Sequence, residues 1–172
     1  LRLKAYWTHC WTSSGIWRSS IDAFRVWKLQ YWHWTFSQIL EKFPKVNFIG
    51  HAQTWWGNID KNHQQKVMYP KGKVIPSGIS DRLLQDYPNM YGDLSANSGQ
   101  NALIRDETHA IDFIKRNQDK LIYGSDCNDL IGRGPSCIGA RTIKIIRRLI
   151  PDRTIQDKVF SKNARRIIRF PK

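Results

Sequence analysis

Two short apolar runs in the chain end in a side chain that binds metals or transfers protons. Residues 46–50 lead directly into His51, and residues 121–125 lead directly into Asp126. An imidazole at a strand end is suited to acid–base work or metal ligation near neutral pH. A carboxylate at the end of a buried strand is costly unless it is paired, protonated or bound to a cation. The pattern indicates hydrolytic or lyase chemistry, with His51 and Asp126 as candidate catalytic residues.

Two further residues are candidates for substrate binding. Trp55 belongs to a Trp-Trp-Gly run that follows His51. A single histidine is usually half-buried with its hydrogen bond satisfied inside the fold. The neighbouring Trp pair and Gly instead favour a position of His51 in a pocket wall. Asp93 lies late in a predicted strand, and three roles are open for it. Its side chain orients His51, contacts substrate, or simply points to the outer face of the strand. For Asp93 we expect a structural role ahead of a catalytic one.

The other titratable residues carry weaker signals. His63 and His109 have the surroundings of solvated loop and helix positions, and Asp129 fits a turn cap better than a catalytic role. Cys127 lacks a local nucleophile signature. His9 ends a short apolar run within a Trp-rich region and is a weak candidate for another strand-end ligand.

Hydrophobic periodicity, Gly and Pro predict an alternation of helices and strands from Phe36 onward. Gly99 is expected to end the second of three strands, and residues 52–78 are expected to form a long loop. The predicted order is helix 36–43, strand 46–50, helix 80–85, strand 90–95, helix 101–117, strand 121–125, helix 140–149 and helix 154–169.

This alternation predicts an α/β fold with parallel strands and right-handed crossovers. Functional side chains at the carboxyl ends of the strands are typical of a (β/α)8 barrel. Three strands neither close a barrel nor cover both faces of a sheet. We therefore expect a partial (β/α)8 TIM barrel over residues 36–172, with the N-terminal part missing or disturbed.

Residues 1–35 form a Trp-rich segment of uncertain structure. They hold six of the eight Trp, and Asp22 is their single acidic residue. An interfacial or stacking surface, a disturbed sequence and ordinary core all remain open.

The formal net charge of +14 suggests an anionic partner or a solvated basic face. Residues 141–172 hold eleven Lys or Arg against two Asp, a net of +9. Because these alternate with Ile and Leu at helical spacing, we favour amphipathic packing over nucleic-acid binding, which stays an alternative. No run of apolar residues is long enough for a membrane span.

Three cysteines without a CxxC motif favour reduced thiols and a cytoplasmic location, although a lost secretory signal is left open. Homo-oligomer formation is also left open.

Four segments in order carry a resemblance to a known family: residues 40–51, 86–95, 118–126 and 163–168. Together they resemble the C-terminal half of the amidohydrolase-related TIM-barrel family. That branch of the metal-dependent hydrolases includes aminocarboxymuconate-semialdehyde decarboxylase, hydroxybenzoate decarboxylases and small lactone hydrolases.

The resemblance implies that the three strands are barrel strands six, seven and eight. His51 then contacts substrate, acts as acid or base, or ligates metal. Asp126 is the implied metal ligand and the base for metal-bound water. The implied cofactor is a divalent metal, most often zinc, which lowers the pKa of bound water or polarises the substrate.

The chain departs from the family pattern because the first-strand His-x-His pair is absent and only His9 offers a doubtful fifth-strand ligand. We expect residues 1–172 alone to be inactive or nearly so. The parent function expected is a metal-dependent hydrolase for a small organic acid, lactone or amide, and a non-oxidative decarboxylase is the alternative. The expected partner is a small-molecule substrate, without nucleic acid or membrane. The insertion at residues 57–79 is expected to shape the substrate pocket.

Overall fold

The computed structural model describes residues 10–11, 36–127 and 136–168. Short strands alternate with helices through these ranges. In chain order the elements are β1 (Cys10–Trp11), α1 (Phe36–Lys42), β2 (Asn47–Gly50), α2 (Ala52–Gly57), α3 (Ile79–Asp86), β3 (Met90–Asp93), α4 (Ala96–Ile104), α5 (Glu107–Arg116), β4 (Leu121–Ile122), α6 (Ile138–Leu149), α7 (Arg153–Asp157), a π-helix (Lys158–Lys162) and α8 (Asn163–Ile167).

The strands form one open sheet in the order β1-β2-β3-β4. β2, β3 and β4 are parallel, and β1 pairs antiparallel with β2. The register sets Gly50 beside Gly92 and Asp93 beside Ile122, so the carboxyl ends of all three parallel strands meet at one edge. The predicted α/β fold with parallel strands joined by helices is confirmed at this level.

Alternation along the strands separates two apolar clusters. Met90 and Leu121 belong to the larger cluster, which packs against the helices, while Tyr91 and Ile122 belong to a small cluster with Ile167. Successive strand residues point to opposite faces, which is why neighbours in sequence fall into different clusters. The core therefore lies mainly between one sheet face and the helices.

Two buried asparagines donate hydrogen bonds to backbone carbonyl groups next to the short strands. Asn89 donates from Nδ2 to the carbonyl groups of Leu40, Phe43 and Val46 at 3.0, 3.1 and 3.2 Å. Asn163 donates to the carbonyl groups of Gln118 and Leu121 at 2.7 and 2.8 Å. These amides fix the entry to β2 and the outer edge of β4, because buried carbonyl groups need a partner.

Asn163 lies at the start of α8, which follows a π-helical turn. The predicted helix 154–169 is therefore interrupted, and its last residue lies outside the described ranges.

Two predictions in the middle of the chain are wrong. Gly99 does not end a strand; it lies inside α4, and a Cβ there would meet the backbone of Leu94. The predicted helix 101–117 is two helices, because Asp106 is extended and its carboxylate accepts a hydrogen bond from the His109 amide at 3.3 Å. Asp106 therefore caps a new helix where periodicity alone suggested continuation.

The basic residues of α6 lie on its exposed face. Arg147 and Arg148 are exposed, whereas Ile146 and Leu149 are buried. The predicted amphipathic packing is confirmed for this helix. None of the helices in the described ranges has the length and apolarity needed to cross a membrane.

Candidate functional site

A cavity of about 400 Å³ opens at the carboxyl ends of the parallel strands. It brings together the two residues that the sequence singled out, His51 and Asp126. The lining residues are His51, Ala52, Gln53, Tyr69, Ala96, Asn97, Ser98, Asp126 and Ile138. Ligands of α/β folds commonly bind outside this end of the strands, so the cavity is the candidate functional site.

His51 follows β2 and is held by a carboxylate from β3. Its Nδ1 lies 3.1 Å from Asp93 Oδ2, and both side chains are 23% exposed. Because Asp93 occupies Nδ1, Nε2 is the ring nitrogen left to serve a substrate. Of the roles considered for Asp93, the structure shows the one in which it orients His51.

Asp93 is itself fixed by Ser95, a residue that the sequence analysis did not single out. The Ser95 hydroxyl donates to Asp93 Oδ2 at 2.7 Å, and the Ser95 amide donates to Oδ1 at 3.0 Å. The same hydroxyl oxygen lies 3.1 Å from His51 Nδ1. At Gly124, an added Cβ would lie 2.8 Å from Asp93 Oδ1, so glycine there leaves room for the carboxylate.

The surroundings of His51 raise its pKa. The hydrogen bond that the imidazole donates to Asp93 is the main cause, burial opposes it, and the charges of Asp93 and Asp126 add to the increase. The cationic imidazole is therefore favoured further into the neutral range than for a free histidine. This makes His51 a proton donor suited to an oxygen or nitrogen leaving group.

Asp126 lies four residues beyond β4 and is exposed to solvent. The expectation that it ends a buried strand is therefore wrong, because β4 stops at Ile122. The argument from the cost of burying a carboxylate does not apply to it. Asp126 nevertheless lines the cavity, where an exposed carboxylate has access to water.

Three non-glycine residues with left-handed backbone line the cavity. The φ angles are 71° at Ala52, 61° at Ala96 and 46° at Asp126. Each follows one of the three parallel strands, and such a conformation costs free energy for a residue with a Cβ. Strained backbone that persists at one cavity is typical of a functional site, where the surrounding fold fixes it.

The insertion after β2 contributes Tyr69 to the cavity wall. Its hydroxyl accepts a hydrogen bond from Gln53 at 2.9 Å. The insertion is anchored by the Arg105 guanidinium, which lies 2.8 Å from Asp60 Oδ2 and also donates to the Gly72 and Lys73 carbonyl groups. The insertion 57–79 therefore contributes to the cavity wall, and its role in a substrate pocket stays a prediction. The predicted loop 52–78 begins with helix α2, so it is not irregular over its whole length.

Neither tryptophan after His51 lines the cavity. Trp55 packs against Gly50, where a Cβ would collide with its ring, and Trp56 is buried with its indole N–H donating to the Asp93 carbonyl at 2.8 Å. In this structure Trp55 therefore supports the strands. Its proposed contact with substrate stays a prediction.

The structure joins Cys127 and Cys137 in a disulfide, with 5.7 Å between their Cα atoms. The expectation of free thiols is wrong for this pair, since the absence of a CxxC motif does not exclude a bridge of longer spacing. The bridge links the segment after Asp126 to Cys137, the residue before α6.

His63 and His109 do not line the cavity. His109 is buried at 8% exposure and stacks on Phe113 with ring centroids 5.8 Å apart, so its predicted solvated position is wrong. His63 is partly buried beside Gly57. His9 and Asp129 lie outside the described residues.

A zinc site is not complete in the part of the chain that the structure describes. No group of three or more His, Cys, Asp or Glu side chains there could hold a metal ion. His51 and Asp126 supply two candidate ligands, whereas catalytic zinc usually takes three from the protein. The described residues therefore do not by themselves fit the implied metal.

Comparisons with protein-family models, curated proteins and solved structures found no match.

Proposed function

We propose that the chain carries the acid–base part of a hydrolase site for a small organic acid, lactone or amide. The observation that supports this most is that His51 and Asp126 line the same cavity, while Asp93 is hydrogen-bonded to Nδ1 of His51. The resemblance to the amidohydrolase-related TIM-barrel family agrees with this proposal. Within it, the three parallel strands correspond to barrel strands six to eight.

The proposed reaction uses the two side chains in complementary roles. Asp126 takes a proton from water as the water oxygen attacks the substrate carbonyl. Cationic His51 gives its proton to the leaving oxygen or nitrogen as the carbon–oxygen or carbon–nitrogen bond breaks. Proton exchange with solvent then restores both groups. Asp93 keeps the imidazole oriented and stabilises its charge.

A divalent metal, if the complete site holds one, would need donors beyond His51 and Asp126. We expect little or no zinc-dependent turnover from residues 1–172 for this reason. Acid–base catalysis alone contributes about 10²- to 10⁴-fold at a well-formed site. A low rate on activated esters that depends on His51 is therefore the expected signature.

The test is hydrolysis of an activated ester panel by residues 1–172 and by the His51→Gln and Asp126→Asn variants, without metal and with added zinc. His63→Gln is the matched control, because His63 does not line the cavity. We expect a small rate above buffer that both site variants lose and the control keeps. Equal rates above buffer in the wild type and in both site variants would contradict the proposal.

Decarboxylation is the second candidate, favoured by the raised pKa of His51, since Asp93 keeps a proton available on this imidazole. After loss of carbon dioxide, His51 would protonate the carbanion that remains. Release of carbon dioxide without a hydrolysed product would support decarboxylation. Formation of a new acid without carbon dioxide would support hydrolysis.

A further inference from the structure

A disulfide joins two segments that form part of the cavity wall. Cys127 directly follows Asp126, and its partner Cys137 directly precedes Ile138. Asp126 and Ile138 both line the cavity. The bridge therefore ties the segment that carries the candidate base to the start of α6.

Asp126 lies between two contacts with the start of α6. On its N-terminal side, Ser125 is so close to Gly139 that a Cβ added to the glycine would lie 2.6 Å from the Ser125 Cβ. On its C-terminal side is the disulfide of Cys127. Asp126 itself has a φ of 46°, a left-handed conformation that costs free energy and persists only where the surrounding structure fixes it. Opening the bridge removes one of the two contacts, which frees Asp126 to leave this conformation.

The two sulfurs of the bridge differ in access and in surroundings. Cys127 is partly exposed, whereas Cys137 is only 2% exposed. Cys137 precedes α6, a helix of 12 residues, and its Sγ accepts a hydrogen bond from the Ala140 amide at 3.4 Å. A thiolate at a helix start is stabilised by the amides and by the helix dipole, although burial opposes it. A thiol from solution therefore reaches Cys127, and Cys137 is the leaving sulfur.

We propose that this disulfide is a reducible switch, in which a dithiol reductant attacks Cys127 and thereby releases Asp126 from its position at the cavity. The effect on activity rests on the proposed function, since it requires Asp126 to act as the base. The oxidised protein is then the active form, and reduction lowers its activity.

The exchange takes two steps and transfers two electrons. A thiolate of the dithiol attacks Cys127 Sγ, the S–S bond breaks, and its electron pair goes to Cys137 Sγ as a thiolate. The second thiolate of the dithiol attacks the dithiol's own sulfur in the mixed disulfide, which closes a disulfide within the reductant and releases the Cys127 thiolate. The reductant is oxidised, both cysteines are reduced, and the two protons of the dithiol end on the cysteine thiols.

The first measurement identifies the attacked sulfur, in a Cys10→Ser background that removes the third cysteine. The protein is exposed briefly to glutathione, a monothiol, and acid then stops the exchange because attack requires a thiolate. Peptide mass spectrometry locates the adduct. We expect no free thiol before exposure and glutathione mainly on Cys127 afterwards. Two free thiols in the untreated protein, or an adduct mainly on Cys137, would overturn the proposal.

The second measurement follows Asp126 through the pKa of His51, which the Asp126 charge raises. His51 is titrated by NMR before and after reduction with dithiothreitol. We expect reduction to lower this pKa as far as Asp126→Asn lowers it in the oxidised protein, and to change it little in Asp126→Asn itself. Equal His51 titrations of the oxidised and reduced protein, or an equal fall in Asp126→Asn, would overturn the proposal.

His109 is the control for the fold in the same titrations. Its pKa is lowered by burial, and His109 does not line the cavity. We expect reduction to leave the His109 titration unchanged, because the switch acts only at the cavity. A His109 pKa that rises to the unfolded value on reduction would show that the bridge maintains the whole fold, and this result would also overturn the proposal.

These readouts separate the switch from the proposed function. A His51 pKa that falls on reduction, together with ester rates that are equal in wild type and both site variants, would support the release of Asp126 and refute hydrolysis. His51-dependent turnover with a His51 titration that reduction leaves unchanged would refute the switch and support hydrolysis.

Discussion

His51 Nδ1 lies 3.1 Å from Asp93 Oδ2 across the ends of two neighbouring strands. β2 delivers the imidazole and β3 delivers the carboxylate, and the register of the two strands sets the distance. The hydrogen bond is the largest cause of the raised pKa of His51. The proton-donor character of the cavity therefore originates in the pairing of two strands.

The Asp93→Asn variant tests this origin. An amide keeps the size of the side chain but removes the charge that favours imidazolium, so we expect the pKa of His51 to fall. NMR titration of the His51 ring measures it. Asp112→Asn is the control, because Asp112 is exposed on α5. An unchanged His51 titration in Asp93→Asn would refute the assigned cause.

His51 and His109 make stability depend on pH in separate ranges. The pKa of His51 is raised, so its contribution is complete below the unfolded value of 6.5 and is lost as pH rises through the folded value. Burial lowers the pKa of His109, so its contribution is complete above 6.5 and is lost as pH falls.

The His109→Leu variant isolates the acid range. Both ring nitrogens of His109 lack hydrogen-bond partners among the described residues, so an apolar replacement leaves no partner unsatisfied. We expect the loss of stability between pH 6.5 and more acid pH to become shallower in urea unfolding experiments. Wild-type and variant curves that stay parallel through this range would show that His109 does not titrate as described.

Asp126 has a left-handed backbone conformation that Asn adopts at a lower free-energy cost than Ala. Its φ is 46°, and a left-handed backbone costs most residues roughly 1–2 kcal/mol but is tolerated by Asp and Asn. We expect Asp126→Asn to keep wild-type stability and Asp126→Ala to lose about 1 kcal/mol. Both variants remove the charge, so their difference in unfolding free energy isolates the backbone. Equal stabilities would contradict the left-handed assignment.

Asn163, the first residue of α8, donates hydrogen bonds to backbone carbonyl groups at the outer edge of β4. It is 1% exposed, and its amide serves two carbonyl groups. We expect Asn163→Leu to lower the unfolding free energy by about 2–4 kcal/mol, since both acceptors stay buried without a donor. Asn62→Leu, on the exposed insertion, is the control and should change stability by less than about 0.5 kcal/mol. Comparable losses in both variants would contradict the stabilising role of the Asn163 hydrogen bonds.

Sequence patterns predicted the strands and the residues at their ends because apolar runs and Gly or Pro boundaries are local signals. Strand 46–50 and helix 140–149 match β2 and α6 to within two residues. The same local signals failed at Gly99, where a helix turn needed close contact with Leu94, and at Asp106, where a side-chain cap divided a periodic stretch.

The candidate site was predicted in part for the same reason. His51 and Asp126 stood out because each ends an apolar run. Ser95 and Tyr69 did not, since their roles depend on contacts between separate segments. The pairing of Cys127 with Cys137 likewise depends on three-dimensional proximity.

The central claim is that His51 and Asp126 act at one cavity, and the pKa of His51 tests it most directly. Because the Asp126 charge raises this pKa, Asp126→Asn should lower it, by less than Asp93→Asn does. Asp119→Asn, which removes an exposed carboxylate beside Lys158, should leave it unchanged. An NMR titration in which His51 responds equally to Asp119→Asn and Asp126→Asn would contradict the shared site.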